Sequence, residues 1–170
     1  MTRGATFAAH PHPCGEETFV LDGIFSDEHG DYPAGTFLLN PEGFTHAPFS
    51  REGCVLFIKL QQYAGAEHIA IDTKSAAWPA TGVPGLALMT LYDDEQGETI
   101  RLARFDRGCR VPAHDHEGGE KISVIEGELT DEHGTYPAET WLRQPDGSFH
   151  DRVSPGGATL YVKRGHLPPL

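Results

Sequence analysis

Shifted by 104 positions, the chain lies on itself without a gap. HPHPCGEETFVLDG (10–23) falls on HDHEGGEKISVIEG (114–127), and SDEHGDYPAG (26–35) falls on TDEHGTYPAE (130–139). The register continues through NPEGFTH (40–46) on QPDGSFH (144–150) and CVLFIK (54–59) on ATLYVK (158–163). Of the 50 pairs from His10 to Lys59, 22 are identical. A repeat that holds register over this length encodes one folding unit twice. Both copies are built of short β-branched, aromatic and aliphatic runs such as TFVLD, TFLLN, ISVIEG and TLYVK, broken by glycine and proline. That punctuation, with no amphipathic helix of useful length, predicts an all-β chain of two tandem small β-barrel or jelly-roll units.

The copies differ at their starts. GLALMTLY and ETIRLARF precede the second repeat, whereas at the same offset Met1 already aligns with Phe105, so the first unit lacks its N-terminal strands. The expected division is a first repeat over 1–65, a linker with strand character over 66–77 and a second repeat over 78–170. An open edge invites pairing. Either AEHIAIDT (66–73) or a second copy of the chain is expected to cover it, the latter giving a homodimer.

Composition excludes several roles. A formal net charge of -12 and the lack of any Lys/Arg cluster argue against nucleic acid and against anionic lipid. There is no apolar run of membrane-spanning length and no signal-peptide core, so a cytoplasmic protein is expected. Cys14, Cys54 and Cys109 have no C-x-x-C spacing and suggest neither disulfides nor a thiolate zinc site.

The repeated histidines carry chemistry. Along a strand side chains alternate faces, so His10 and His12 point the same way and two imidazoles converge. The turn after His12 brings Glu16 back from the next strand, and Pro41-x-Gly43-x-x-His46 delivers a third imidazole. His114, His116, Glu120 and His150 repeat the arrangement. An H-x-H pair alone is weak evidence, because single histidines are commonly core or loop residues. Eight potential ligands at identical spacing in two copies are a different matter, and they predict two divalent metal sites of three imidazoles and one carboxylate each. His29 and His133, repeated beside glycine, read as hairpin-tip residues with the bend at His29-Gly30. Cys14 reads as a small turn residue. His68, His166, Lys59 and Lys163 read as solvated.

These motifs resemble those of cupins. The pattern G(x)5HxH(x)3E(x)6G is met by Gly4, His10, His12, Glu16 and Gly23, and again by Gly108, His114, His116, Glu120 and Gly127. The pattern G(x)5PxG(x)2H(x)3N is met by Gly35, Pro41, Gly43 and His46, then by Pro145, Gly147 and His150. Ser50 and Ser154 replace the final asparagine, and Glu139 replaces the leading glycine. More narrowly, GEE-x-FVLDG-x-FSDEHGDYPAGT-x-x-x-NP resembles the ChrR-like cupins, a group that includes the C-terminal domain of ChrR anti-sigma factors and relatives likened to acetylacetone-type dioxygenases. The resemblance implies a metal inside each barrel, not one activity.

Three function classes stay open. A non-haem metal-dependent dioxygenase would act on a small dicarbonyl or hydroxyketone, with iron(II), manganese, cobalt or nickel leaving coordination positions open. Zinc held by four protein ligands would instead make a structural or sensing centre. A ChrR-like regulator is the second class, but the helical zinc-binding segment of such regulators does not precede this cupin, so a sigma-factor partner is not expected. The third class is a small-ligand-binding protein without turnover.

Overall fold

The structure is a computed structural model and describes residues 1–167; the end of the expected second repeat, 168–170, lies outside the described residues. Among the described residues there is no helix, and none is therefore long and apolar enough to cross a membrane. The all-β, two-unit architecture matches expectation, with compact units at Met1–Ala76 and Ala77–Leu170.

The first unit runs through β1 (Ala5–Thr6), β2 (His10–Pro11), β3 (Glu16–Asp27), β4 (Gly30–Pro33), β5 (Thr36–Asn40), β6 (Thr45–His46), β7 (Phe49–Ser50), β8 (Cys54–Leu60) and β9 (Ile69–Asp72). Its organiser is β3. From Glu16 to Gly23 this strand pairs with β8, and from Glu16 to Phe19 it also pairs with β5 on its other side. From Ile24 onward it leaves that sheet to pair with β4 and to touch β7. A bulge between Val20 and Asp22 marks the departure. One extra residue inverts the alternation of faces, so Val20 and Phe25, five residues apart, enter the same core with Leu38 and Cys54. Gly23 follows the bulge at φ +74°, where a Cβ would collide with the Gly53 carbonyl oxygen. Only glycine suits that bend.

The second unit contains β10 (Leu86–Asp93), β11 (Thr99–Phe105), β12 (Cys109–Asp115), β13 (Glu120–Asp131), β14 (Gly134–Pro137), β15 (Trp141–Gln144), β16 (Phe149–Ser154) and β17 (Ala158–Arg164). β13 repeats the crossing, with a bulge between Val124 and Glu126. Val124 and Leu129 accordingly share one core with Ile122 and Leu160.

The difference read from the sequence takes a definite form. β11 pairs with all seven residues of β17, from Thr99↔Arg164 to Phe105↔Ala158, and β10 backs β11. Leu160 is consequently 1% exposed. In the first unit, among the described residues, β8 has only β3 as a strand partner, and Val55, Ile58 and Leu60 are 52%, 43% and 58% exposed. The segment 66–73 does form a strand, β9, but it pairs with β5 and leaves the β8 edge open.

Two local expectations need correction. Asp27 pairs with Gly30, so the hairpin bend is Glu28-His29, one residue earlier than read from the glycine; Asp131 and Gly134 repeat this. The aspartate sets the turn, since Asp27 Oδ1 accepts from the backbone N–H groups of His29 at 2.8 Å and Gly30 at 3.2 Å. Lys59 and Lys163 are not solvated: they are 4% and 1% exposed. Lys59 pairs at 2.5 Å with Glu17, its cross-strand neighbour. In the second unit the corresponding neighbour is Lys121, and Lys163 turns to Glu98 at 3.0 Å instead. Burying a charge requires such a partner.

Candidate metal centres

His10 and His46 are brought together by the ladder of β2 and β6, in which they are direct partners; His114 and His150 are partners between β12 and β16. His12 and His116 arrive from the turn that follows. In each unit the three imidazoles present ligand atoms within 4.8 Å of one another. The structure thus assembles all six predicted histidines into two triads. His12, His46, His116 and His150 are buried, and His10 and His114 are half-buried at the mouth.

In the first triad every Nδ1 is already engaged. His10 Nδ1 donates to the Ala8 carbonyl at 2.8 Å, His46 Nδ1 donates to Asp27 Oδ2 at 3.1 Å, and His12 Nδ1 lies 3.2 Å from Glu16 Oε2. The acceptors facing His10 and His46 favour the tautomer with the proton on Nδ1, the form in which Nε2 is the ligating atom. The Nε2 atoms of His12 and His46 stand only 2.8 Å apart, a spacing that suits two donors sharing one cation. Burial lowers the His12 pKa, helped by His46 and His10 and opposed by Glu16, so its neutral, ligating form is favoured.

Glu16 stands beside the triad, not among its three converging atoms. Its Oε1 accepts from Thr18 Oγ1 at 2.8 Å and from Asn40 Nδ2 at 3.3 Å. Asn40 Oδ1 in turn accepts from His68 Nδ1 at 2.9 Å. His68 is exposed, as expected, and still ends a relay that orients Glu16; its ring also stacks on Phe44 at 4.8 Å.

The second triad keeps the imidazoles and changes their support. His114 Nδ1 donates to the Pro112 carbonyl at 2.9 Å, and His116 Nδ1 to the Ser148 carbonyl at 2.9 Å. His116 Nε2 lies 3.3 Å from Glu120 Oε1 without hydrogen-bond alignment. Both ring nitrogens of His150 are buried without a hydrogen-bond partner. Its expected support, Asp131, instead lies 3.8 Å from the Arg152 guanidinium, which also reaches Glu120 at 3.4 Å. Burial and the adjacent Arg152 and His116 push the His150 pKa down to about 4. Burial raises Glu120, but the close contact with His116 and the charges of Arg152 and Arg164 outweigh it and hold the carboxyl below its ordinary value.

Each triad opens on a cavity. The first, about 360 Å³, is walled by Met1, Phe7, Phe25, Leu56, Ile58 and Leu60 around the histidines and Glu16. The second, about 440 Å³, adds Arg101, Arg152 and Arg164 to an apolar lining. In both units three converging imidazoles fit a divalent ion, and in the second Nε2 of His116 and both ring nitrogens of His150 are buried without a hydrogen-bond partner. Asp27, His68 and the three arginines were missed from the sequence. Asp27 carried a signal in its repetition as Asp131, whereas Arg101, Arg152 and Arg164 have no repeated partner.

Comparison with curated protein sequences finds no significant match. Among solved structures, a salicylate 1,2-dioxygenase from Pseudaminobacter salicylatoxidans aligns over 97% of this chain and 68% of its own, at 13% identity and a TM-score of 0.71. A Nostoc punctiforme protein described as a candidate dioxygenase aligns over 100% and 68%, at 12% identity and 0.73. These likenesses show the cupin fold. The Rhodobacter sphaeroides anti-sigma ChrR, in its complex with SigE, matches at 22% identity and 0.49 over 54% of this chain; this chain spans 50% of that one. The family described as "ChrR Cupin-like domain" matches residues 1–64 and 66–168, nearly the whole chain, and the protein therefore belongs to that family.

Proposed function

We propose that the protein is a metal-binding bicupin acting as a non-haem metal-dependent dioxygenase on a small dicarbonyl or hydroxyketone. The observation that carries this reading is the first triad, whose three imidazoles bring ligand atoms within 4.8 Å of one another beside a cavity with a largely apolar wall. His10, His12 and His46 hold the ion, with Glu16 completing the set by turning from His12; His114, His116, Glu120 and His150 do the same in the second unit. When bound, iron(II) would supply Lewis-acid and redox chemistry, with zinc, manganese, nickel or cobalt as alternatives. The chain's own contribution is positioning. Asp27 holds His46 in the ligating tautomer, Asn40 and His68 hold Glu16, and Phe7, Phe25 and Leu56 exclude water from a compact organic substrate.

The test is metal analysis of protein purified without an affinity metal resin, followed by oxygen uptake with acetylacetone and 2-hydroxyacetophenone on iron-loaded and zinc-loaded protein. Uptake with iron alone is the expected result, and no uptake with either metal removes the enzyme reading. The family assignment favours a second reading, a metal-containing sensor without turnover; co-purification of a sigma factor would support it. The open β8 edge supports a homodimer, checked by analytical ultracentrifugation.

A further inference from the structure

Position for position, the second unit replaces two apolar residues of the first cavity by cations. Arg152 stands where the first repeat has Pro48, and Arg164 where it has Leu60. Arg101 comes from β11, the strand the first unit does not possess. All three line the cavity that also holds His114 and His150. Arg152 is 3% exposed, yet its Nε and Nη2, and the Nε of Arg101, are buried without a hydrogen-bond partner. A buried guanidinium nitrogen left unpaired is costly, and a carboxylate, which accepts two parallel N–H bonds, is its natural complement.

The charge tally points the same way. Around the first triad stand Glu16 and Asp27 with no guanidinium, so a divalent ion there is neutralised. Around the second, Glu120 and Asp131 already face Arg152 and Arg164, and Arg101 adds a third cation. A divalent ion there leaves positive charge for a ligand to balance. Leu88, Ile122, Leu160 and Val162 are among the apolar residues of the wall, which suits an organic body and not a bare inorganic anion.

We propose that the second cavity binds a small organic carboxylate, its charged end on the guanidinium wall and its body against these aliphatic residues. The proposal rests on the metal reading only for what faces the ligand's other end; the guanidinium wall stands without it. The full-length chain, metal-free and zinc-loaded, is titrated calorimetrically with benzoate, with benzamide as the uncharged isostere and with inorganic phosphate. Benzoate is expected to bind one per chain and about tenfold or more tighter than either comparison compound, as charge-assisted hydrogen bonds predict. Arg101→Met and Arg164→Leu, the latter copying the first repeat, should each weaken benzoate by about tenfold, while Arg110→Met, at an exposed guanidinium outside the cavity, leaves it unchanged. Equal binding of benzamide, tighter binding of phosphate, or insensitivity to both arginine variants overturns the proposal. Zinc content measured on the same samples separates the two readings. Benzoate binding without zinc uptake keeps the carboxylate pocket and removes the metal, whereas zinc uptake without a benzoate preference does the reverse.

Discussion

In the first unit His46 leans on Asp27; in the second, the equivalent His150 faces an aspartate already engaged by Arg152. Glu16 is held by neutral donors, Thr18 and Asn40, where Glu120 is held by guanidinium groups. One duplicated scaffold therefore presents the same imidazoles in two electrostatic settings. The first is arranged to stabilise a cation by itself, and the second to stabilise a cation together with an anion. The difference resides in residues outside the ligand motif: Arg152 of β16 and Arg164 of β17, which stand where the first repeat has Pro48 and Leu60, and Arg101 of β11, the strand that only the second unit has.

The largest effect expected from this contrast concerns the buried lysines. Lys59→Ala removes the buried ammonium that faces Glu17, at a cost of about 3–5 kcal/mol. Lys163→Ala should cost less, because Glu98 is 23% exposed and retains water. Urea denaturation of the two variants measures this, and equal losses would break the contrast.

Acid should act mainly through the second unit. In the unfolded chain His150 titrates near its ordinary value of about 6.5, and in the folded metal-free protein at about 4. A depressed folded value means that the unfolded chain binds more protons between these limits. The stability is complete above pH 6.5 and is lost as pH falls toward 4, up to about 3 kcal/mol. His150→Gln should flatten the melting-temperature profile of the metal-free protein in that window; an unaltered slope would show that His150 does not govern it.

Metal affinity should then separate the sites. Partners behind a ligating imidazole typically contribute 10- to 100-fold in affinity, so zinc titration against a competing chelator should resolve two steps, the tighter in the first unit. His46→Ala should abolish the tight step and His150→Ala the weak one. Asp27→Ala should bring the two together, and a single step in the wild type would erase the distinction drawn here.

The smallest effect lies in the backbone. Glu139 sits at φ +70° where the first repeat has Gly35 at φ +91°. Glu139→Gly should relieve left-handed strain and stabilise the second unit by about 0.5–1 kcal/mol, the gain being reduced by the freedom glycine has when unfolded. Thermal denaturation checks the sign.

The six histidines were legible in the sequence because duplication turned a common pair of residues into a coincidence of spacing. The all-β architecture was legible for the same reason, the strand runs recurring in register. What surrounds the imidazoles was not. Asp27 read as part of a hairpin because sequence shows its neighbours at the turn and not His46, 19 residues away. Lys59 read as solvated because the pairing that buries it, Glu17 opposite Lys59, is a property of the ladder. The bulge in β3 leaves no compositional mark beyond Gly23, and without it the alternation of faces would be misjudged for the second half of the strand.

That bulge explains why the two copies keep the same strand length from Glu16 to Asp27 and from Glu120 to Asp131. Glu16 and Asp27 lie at opposite ends of one continuous strand, an odd number of positions apart, and both face the triad because a single extra residue lies between them. Losing or gaining one amino acid anywhere along that span would rotate one carboxylate away from the imidazoles while leaving the other in place. Sequence length inside the strand is thus under the same constraint as the ligands themselves. Exposed loops that carry no such parity, by contrast, are where related chains can differ in length at little cost.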